Sequence, residues 1–285
     1  MRCGKAMVQV TVVTGCSLLV ALIGCMADGS GAGDVEPDTA SMGEGSDAEV
    51  SVEQAVISSG PCAGVSGTVY TFPFSQTRAP LNANDWRSYS VERTDKYKGE
   101  LEYQEGGVMH LRTVARFTTG RISGRRYFRI NCLSARIRQA QSDGYLNIFW
   151  AHGKADPNVW SHGEVDFHED FTSDSAVHQN GHAPNSTGGE YNGGGGATVI
   201  NPRDWHNYGF RTSSDKLTVT TTIDGKTTHT FKPGGTFKWG QPMVISGGLN
   251  TGISWADMNV PSDITYPQEM LIKNLVIVGQ EVSAP

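Results

Sequence analysis

Between His162 and Asp170 the chain reads His-Gly-Glu-Val-Asp-Phe-His-Glu-Asp, with four carboxylates in its last seven positions. Val165 and Phe167 interleave them, and both are good strand formers. Side chains of a regular strand alternate between faces, so Glu164, Asp166 and His168 share one side and Glu169 falls out of phase. One extra residue, a β-bulge, would restore the phase and bring Glu169 beside Glu164 and Asp166. Like charges held on one face drive their pKa values apart. A retaining glycosidase uses that separation, with an ionised carboxylate as nucleophile and a protonated one as general acid, roughly 5–5.5 Å apart. On a flat strand the two glutamates stand about 13 Å apart at Cα. Long side chains on a curved sheet close most of that gap. Read locally, the same residues also suit a surface acidic strand or a calcium site.

Such a strand needs a body to hold it. The chain has 285 residues and a formal charge of −6. That length suits one or two domains with a sizeable core, and the charge argues against a nucleic-acid partner. Arg2 and Lys5 precede a largely apolar run from Ala6 to Ile23, the layout of an export signal. The run ends in Leu22-Ile23-Gly24-Cys25, which resembles a bacterial lipobox and marks Cys25 for lipidation. An ordinary cleaved signal or an uncleaved anchor are the alternatives. Residues 1–24 are read as the signal and 25–56 as a disordered tether rich in Gly, Ser and acid. The tether holds eight acids from Asp28 to Glu53 and no Lys or Arg. Setting those 8 of 29 acids aside, and Arg2 and Lys5 of the 23 bases, leaves 21 of each. Residues 57–285 are therefore formally neutral. The expected location is outside the cytoplasm, at a bacterial cell surface or the periplasmic face, lipid-anchored or secreted. The membrane is met through the lipid anchor only.

Cys3 and Cys16 leave with the signal. Cys62 and Cys132 remain, and in an oxidising compartment they suit a disulfide; two buried free thiols are the alternative. No metal-ligand cysteine spacing exists.

From about Ile57 short alternating or apolar runs lie between turn signals. They include Val108–Leu111, Tyr127–Ile130, Leu133–Ile137 and Met270–Val278. Leu217–Ile223 meets Asp224-Gly225, a hairpin signal, before Thr227–Phe231. No stretch shows helical period. An all-β sandwich of two packed antiparallel sheets follows. His152, His162, His168, His178 and His182 cluster near the acids. No metal motif accompanies them, so they are read as hydrogen-bonding groups by the cleft. Of six tryptophans, Trp150 and Trp160 lie nearest the acidic stretch and Trp255 is a third candidate for stacking on sugar. Packing in core or rim is the commoner fate of such a ring.

Taken from Trp160 to Glu169, the acidic stretch resembles the signature of glycoside hydrolase family 16, in the bulged form Glu-x-Asp-x-x-Glu of laminarinases, agarases and carrageenases. Thr119–Ser123, Ser134-Ala135-Arg136-Ile137 (with Ser134 where the family has Glu), Gly144–Trp150, Trp205–Tyr208, Ile223–Gly225 and Pro267–Met270 resemble its flanking strands. The resemblance spans roughly residues 65 to 280. It implies a jelly-roll sandwich with a concave sugar-binding cleft. It makes Glu164 the nucleophile, Glu169 the general acid/base and Asp166 the residue that holds the nucleophile's charge and orientation. His182 matches a cleft histidine. Charged neighbours should raise the pKa of Glu169. Leu146, Thr212 and Thr222 replace aromatics of the family, which reads as a loss of stacking faces. The resemblance implies no catalytic cofactor and leaves room for a structural calcium.

The expected activity is retaining, endo-acting hydrolysis of a polysaccharide, of the β-1,3-glucan or galactan class, by a monomer. A non-catalytic sugar-binding sandwich and a transglycosylase on the same scaffold are the alternatives.

Overall fold

The computed structural model describes residues 51–56, 60–88, 100–115, 118–141, 144–153, 162–170, 176–184, 190–192, 196–233, 235–250 and 264–285, with 51–56 and 190–192 as backbone only. Among these residues there are 17 strands and no α-helix. In chain order they are β1 Ser51–Val56, β2 Ser66–Phe72, β3 Trp86–Ser88, β4 Glu102–Glu105, β5 Val108–Thr113, β6 Arg121–Gly124, β7 Tyr127–Arg138, β8 Leu146–His152 and β9 Glu164–Asp170. Then follow β10 Ala176–Pro184, β11 Glu190–Asn192, β12 Ala197–Val199, β13 His206–Thr212, β14 Val219–Ile223, β15 Lys226–Phe231, β16 Pro242–Asn250 and β17 Gln268–Val282.

Every pairing between them is antiparallel, and the strands form a jelly-roll sandwich. One layer runs β1-β2-β17-β7-β13-β14-β15, with β5 and β4 extending from the first half of β17. The other runs β3-β6-β16-β8-β9-β10, with β11 and β12 on the far side of β10. Hydrogen bonding continues between the layers at β16, whose Pro242 and Met243 pair with β7 before Val244 joins β8.

Sequence and structure agree on most strand positions and differ in instructive ways. Tyr127–Ile130 and Leu133–Ile137 join into the single twelve-residue β7. The sandwich also takes in Ser51–Val56, which composition assigned to the tether. Here the edge of β2 supplies hydrogen-bond partners all along the segment, from Ser51 opposite Thr71 to Val56 opposite Ser66. Backbone pairing of this kind does not require an apolar run. Asp224-Gly225 turns β14 into β15 with φ of 48° and 77°, the left-handed pair that a two-residue hairpin demands. Cys62 and Cys132 are joined by a disulfide, 5.7 Å apart at Cα.

Between the layers sits one large core. Phe167 of β9 lies edge-on to Phe149 at 5.3 Å and reaches Phe210 of the opposite layer at 5.8 Å. Burying one such ring contributes about 1.5–3 kcal/mol. These rings anchor β9 from below, and its other face is left for chemistry.

Candidate active site

β9 is held on both sides. His152, Ala151 and Trp150 of β8 stand opposite Glu164, Val165 and Asp166; then the register slips, and Phe149 stands opposite His168 and Ile148 opposite Glu169. The partner on the other side slips at the same place: His182, Gly181 and Asn180 oppose Glu164, Val165 and Asp166, while His178 opposes Glu169. One extra residue on β9 thus falls between Asp166 and Glu169, the bulge expected from the spacing of the acids. Its consequence is visible in burial. Val165 and Phe167 are core. His168, which strict alternation would send to the acidic face, instead meets the ring of Tyr208 at 4.5 Å, between the layers. Glu169 returns to the face of Glu164 and Asp166.

Two glycines fix where β9 begins. Gly163 has φ of 80°, and a Cβ there would lie 2.8 Å from the Phe237 ring. Gly153 donates its N–H to the Gly163 carbonyl at 3.0 Å, and a Cβ at Gly153 would lie 2.0 Å from that of His162. No side chain fits between the end of β8 and the start of β9.

Glu169 is 5% exposed. Asn180 Nδ2 donates to its Oε2 at 2.5 Å. Burial first, and then the charge of Asp166, push its pKa up to about 8, against the opposing pull of the Asn180 hydrogen bond and of His182. The expectation that charged neighbours raise it is corrected on this point: loss of water is the larger cause. His182 Nε2 lies 3.3 Å from Asp166 Oδ2, both nearly enclosed. His152 Nε2 meets the Ser246 hydroxyl at 2.9 Å and its Nδ1 the Gly153 carbonyl at 2.8 Å. Burial holds its pKa below the ordinary imidazole value. Trp150, half-buried, stacks on His152 at 5.7 Å.

The structure therefore brings together Glu164, Asp166, Glu169, Trp150 and His182. Trp160, Trp255 and Cys25 lie outside the described residues. Thr212 and Thr222 belong to the opposite layer, where their hydroxyls donate to the carbonyls of Ile130 and Gly209. Threonine at those positions takes nothing from the acidic face. Asn180 was missed: in sequence, Gln179-Asn180-Gly181 signals only that a helix is disfavoured. Pairing of β10 with β9 is what makes it a partner of Glu169. Donor atoms of Glu164, Asp166 and His182 lie within 4.8 Å of one another, a set that could hold a metal ion.

A face of three acids, one kept protonated near neutrality and flanked by an indole and two imidazoles, is equipped for acid–base work on a sugar acetal. Comparison with known proteins gives the family. The sequence profile described as glycosyl hydrolases family 16 matches residues 85–267. The chain belongs to that family. None of the curated proteins matches this family 16 member. Among solved structures it is similar to LamAcat from Zobellia galactanivorans, at 14% identity and a TM-score of 0.61, over 72% of this chain and 94% of that one. It is similar to a laminarinase from Flavobacterium sp. UMI-01 at 20% identity and a TM-score of 0.57, over 70% and 95%. A structure from work on endo-acting mucin O-glycanases of the human gut microbiota matches at 19% identity and a TM-score of 0.56, over 72% and 87%. At these identities the likeness is one of fold.

Proposed function

We propose that this family 16 protein is a retaining, endo-acting β-glycanase that hydrolyses a polysaccharide by double displacement. The observation that carries the reading is the bulge, because it sets Glu164, Asp166 and Glu169 on one face with Glu169 protonated near neutral pH. Glu164 attacks the anomeric carbon as a carboxylate while Glu169 passes its proton to the departing glycosidic oxygen. A glycosyl ester forms on Glu164. Glu169, now ionised, takes a proton from water, which attacks the same carbon and frees Glu164. Asp166 stands between them, and its charge helps keep Glu169 protonated. Asn180 holds Oε2 of Glu169 and so orients the proton-bearing carboxyl. Trp150 offers a ring face beside Asp166.

The substrate is of the β-1,3-glucan or galactan class. The laminarinase among the structures of similar fold favours the former. The export-type layout of residues 1–24 and the acidic stretch after it support a location outside the cytoplasm, with the enzyme held by lipid on Cys25 or released; the proposed working form is a monomer.

A panel of laminarin, agar and carrageenan, assayed by reducing-sugar release with product analysis, tests this reading. Cleavage of one of them should fall by at least about three orders of magnitude in Glu164→Gln. Unchanged turnover in that variant would overturn the assignment of the nucleophile. Retention of anomeric configuration in the first product is expected.

A further inference from the structure

The outward side of the other layer carries a second cluster. Trp205, half-buried, stands just before β13, and three cations ring its indole. Lys273 Nζ lies 4.3 Å from the ring centroid, and the guanidinium carbons of Arg138 and Arg136 lie 5.5 and 5.8 Å from it. Register brings them together: β17 sets Lys273 opposite Arg136 and Leu271 opposite Arg138. Ala135 and Ile137 alternate with the arginines and are core. Arg136 and Arg138 therefore point away from the layer that carries the acids.

Grouped cations repel one another, and an indole face offsets that only in part. Among the described residues no carboxylate pairs with any of the three. The nearest acid on the outward row of β17, Glu269, is already engaged by Arg112, His110 and the Tyr103 hydroxyl. The Nε atoms of Arg136 and Arg138 are buried, and neither has an acceptor. Ser134, next on the same row, is neutral. Three charges on a fixed sheet surface, with no counter-ion among the described residues, suit repeated anions. Guanidinium groups match carboxylate and sulfate in geometry as well as charge.

We propose that the face around Trp205, Arg136, Arg138 and Lys273 binds a polysaccharide bearing sulfate or carboxylate groups, separately from the cleft. On the reading proposed above, a glycan is favoured over nucleic acid because the other layer of the same sandwich carries an acidic face suited to a sugar acetal, so one polymer can meet both faces. A second foothold on one polymer would raise its effective concentration at the cleft without altering the chemistry.

The test is native affinity electrophoresis of the full chain in gels holding dextran sulfate, polygalacturonate or neutral dextran. Both polyanions should retard the wild type at low salt, and neutral dextran should not. Arg136→Gln/Arg138→Gln/Lys273→Gln should weaken that retardation about tenfold. Lys273→Gln alone removes no buried group and should shift it in the same direction by less, while Arg136→Lys/Arg138→Lys should keep part of it. Equal mobility of the wild type in anionic and neutral gels would overturn the proposal, whether the face is idle or covered by the chain's own acidic residues between Asp28 and Glu53. So would full retardation of the triple variant, or stronger retardation by single-stranded DNA than by either anionic glycan.

Discussion

His168 and Glu169 are neighbours on one strand, both shut away from water, and the bulge sends them to opposite faces. On the core side, burial pushes the His168 imidazole down to about 3, with His206 adding to the shift. Neither of its ring nitrogens, nor the Tyr208 hydroxyl beside it, meets a hydrogen-bond partner among the described residues. On the other side, Glu169 is pushed up to about 8 but is bound by Asn180 and sits in the field of Asp166 and His182. Loss of water neutralises both groups. Only the partners around Glu169 aim its proton. On the proposed mechanism, then, burial alone does not mark a working residue; burial with an orienting hydrogen bond and a neighbouring charge does.

Breaking the cleft side should have the largest effect. Glu169→Gln is expected to lower turnover about a thousandfold, read as reducing-sugar release on the substrate found in the panel. It should also flatten the alkaline side of the stability curve. The folded pKa of Glu169 lies above the unfolded value, so its contribution is complete below about pH 4.5 and is lost as pH rises toward 8. Thermal melts across pH 6.5 to 8, above the window in which His168 contributes a slope of its own, should show that slope in the wild type and not in the variant.

Asn180→Ala comes next. It removes the hydrogen bond that pulls the Glu169 pKa down, so the alkaline limb of the rate profile should move to higher pH. Turnover should fall roughly tenfold to a hundredfold, as for a misaimed proton donor. A limb that moves to lower pH would show that Asn180 does not act through Glu169.

On the core side the expected change is smaller and opposite in sign. His168→Met replaces two unsatisfied buried nitrogens with an adaptable apolar chain. It should stabilise the fold by about 1–3 kcal/mol, measured by denaturant melts, and leave turnover within about twofold. The gain should grow in acid. The unfolded imidazole takes up a proton as pH falls from 6.5 toward 3, the folded one does not, and the wild type loses stability over that window. A destabilised variant would mean that His168 has a partner worth more than its desolvation.

The sequence made the bulge legible because three acids at that spacing share a face in no other simple way, and Val165 and Phe167 named the face that must be buried. It also marked the hairpin at Asp224-Gly225. It did not reveal Asn180, whose role depends on which strand pairs with β9, a long-range fact no local pattern carries. It misplaced Thr212 and Thr222 because a comparison of aligned letters does not say which layer a strand joins. Ser51–Val56 was lost to the tether for the same reason: its partner, β2, begins ten residues beyond its own end.

The weakest effect expected is that of metal removal, and it bears on the comparison most directly. Glu164, Asp166 and His182 could hold a divalent cation. A cation there would cancel the charge of Asp166, which is the second cause of the raised pKa of Glu169. Glu169 would then differ from His168 by its hydrogen bond alone, and its proton would leave at lower pH. Dialysis against EDTA should therefore change neither the rate nor the alkaline limb. Adding calcium or zinc to the dialysed enzyme should at most inhibit, by tying up the carboxylate that must attack. If the metal instead restored lost activity, or EDTA moved the alkaline limb upward, Glu164, Asp166 and His182 would have to be read first as ligands, and the two faces of the strand would differ by a bound ion rather than by their own hydrogen bonds.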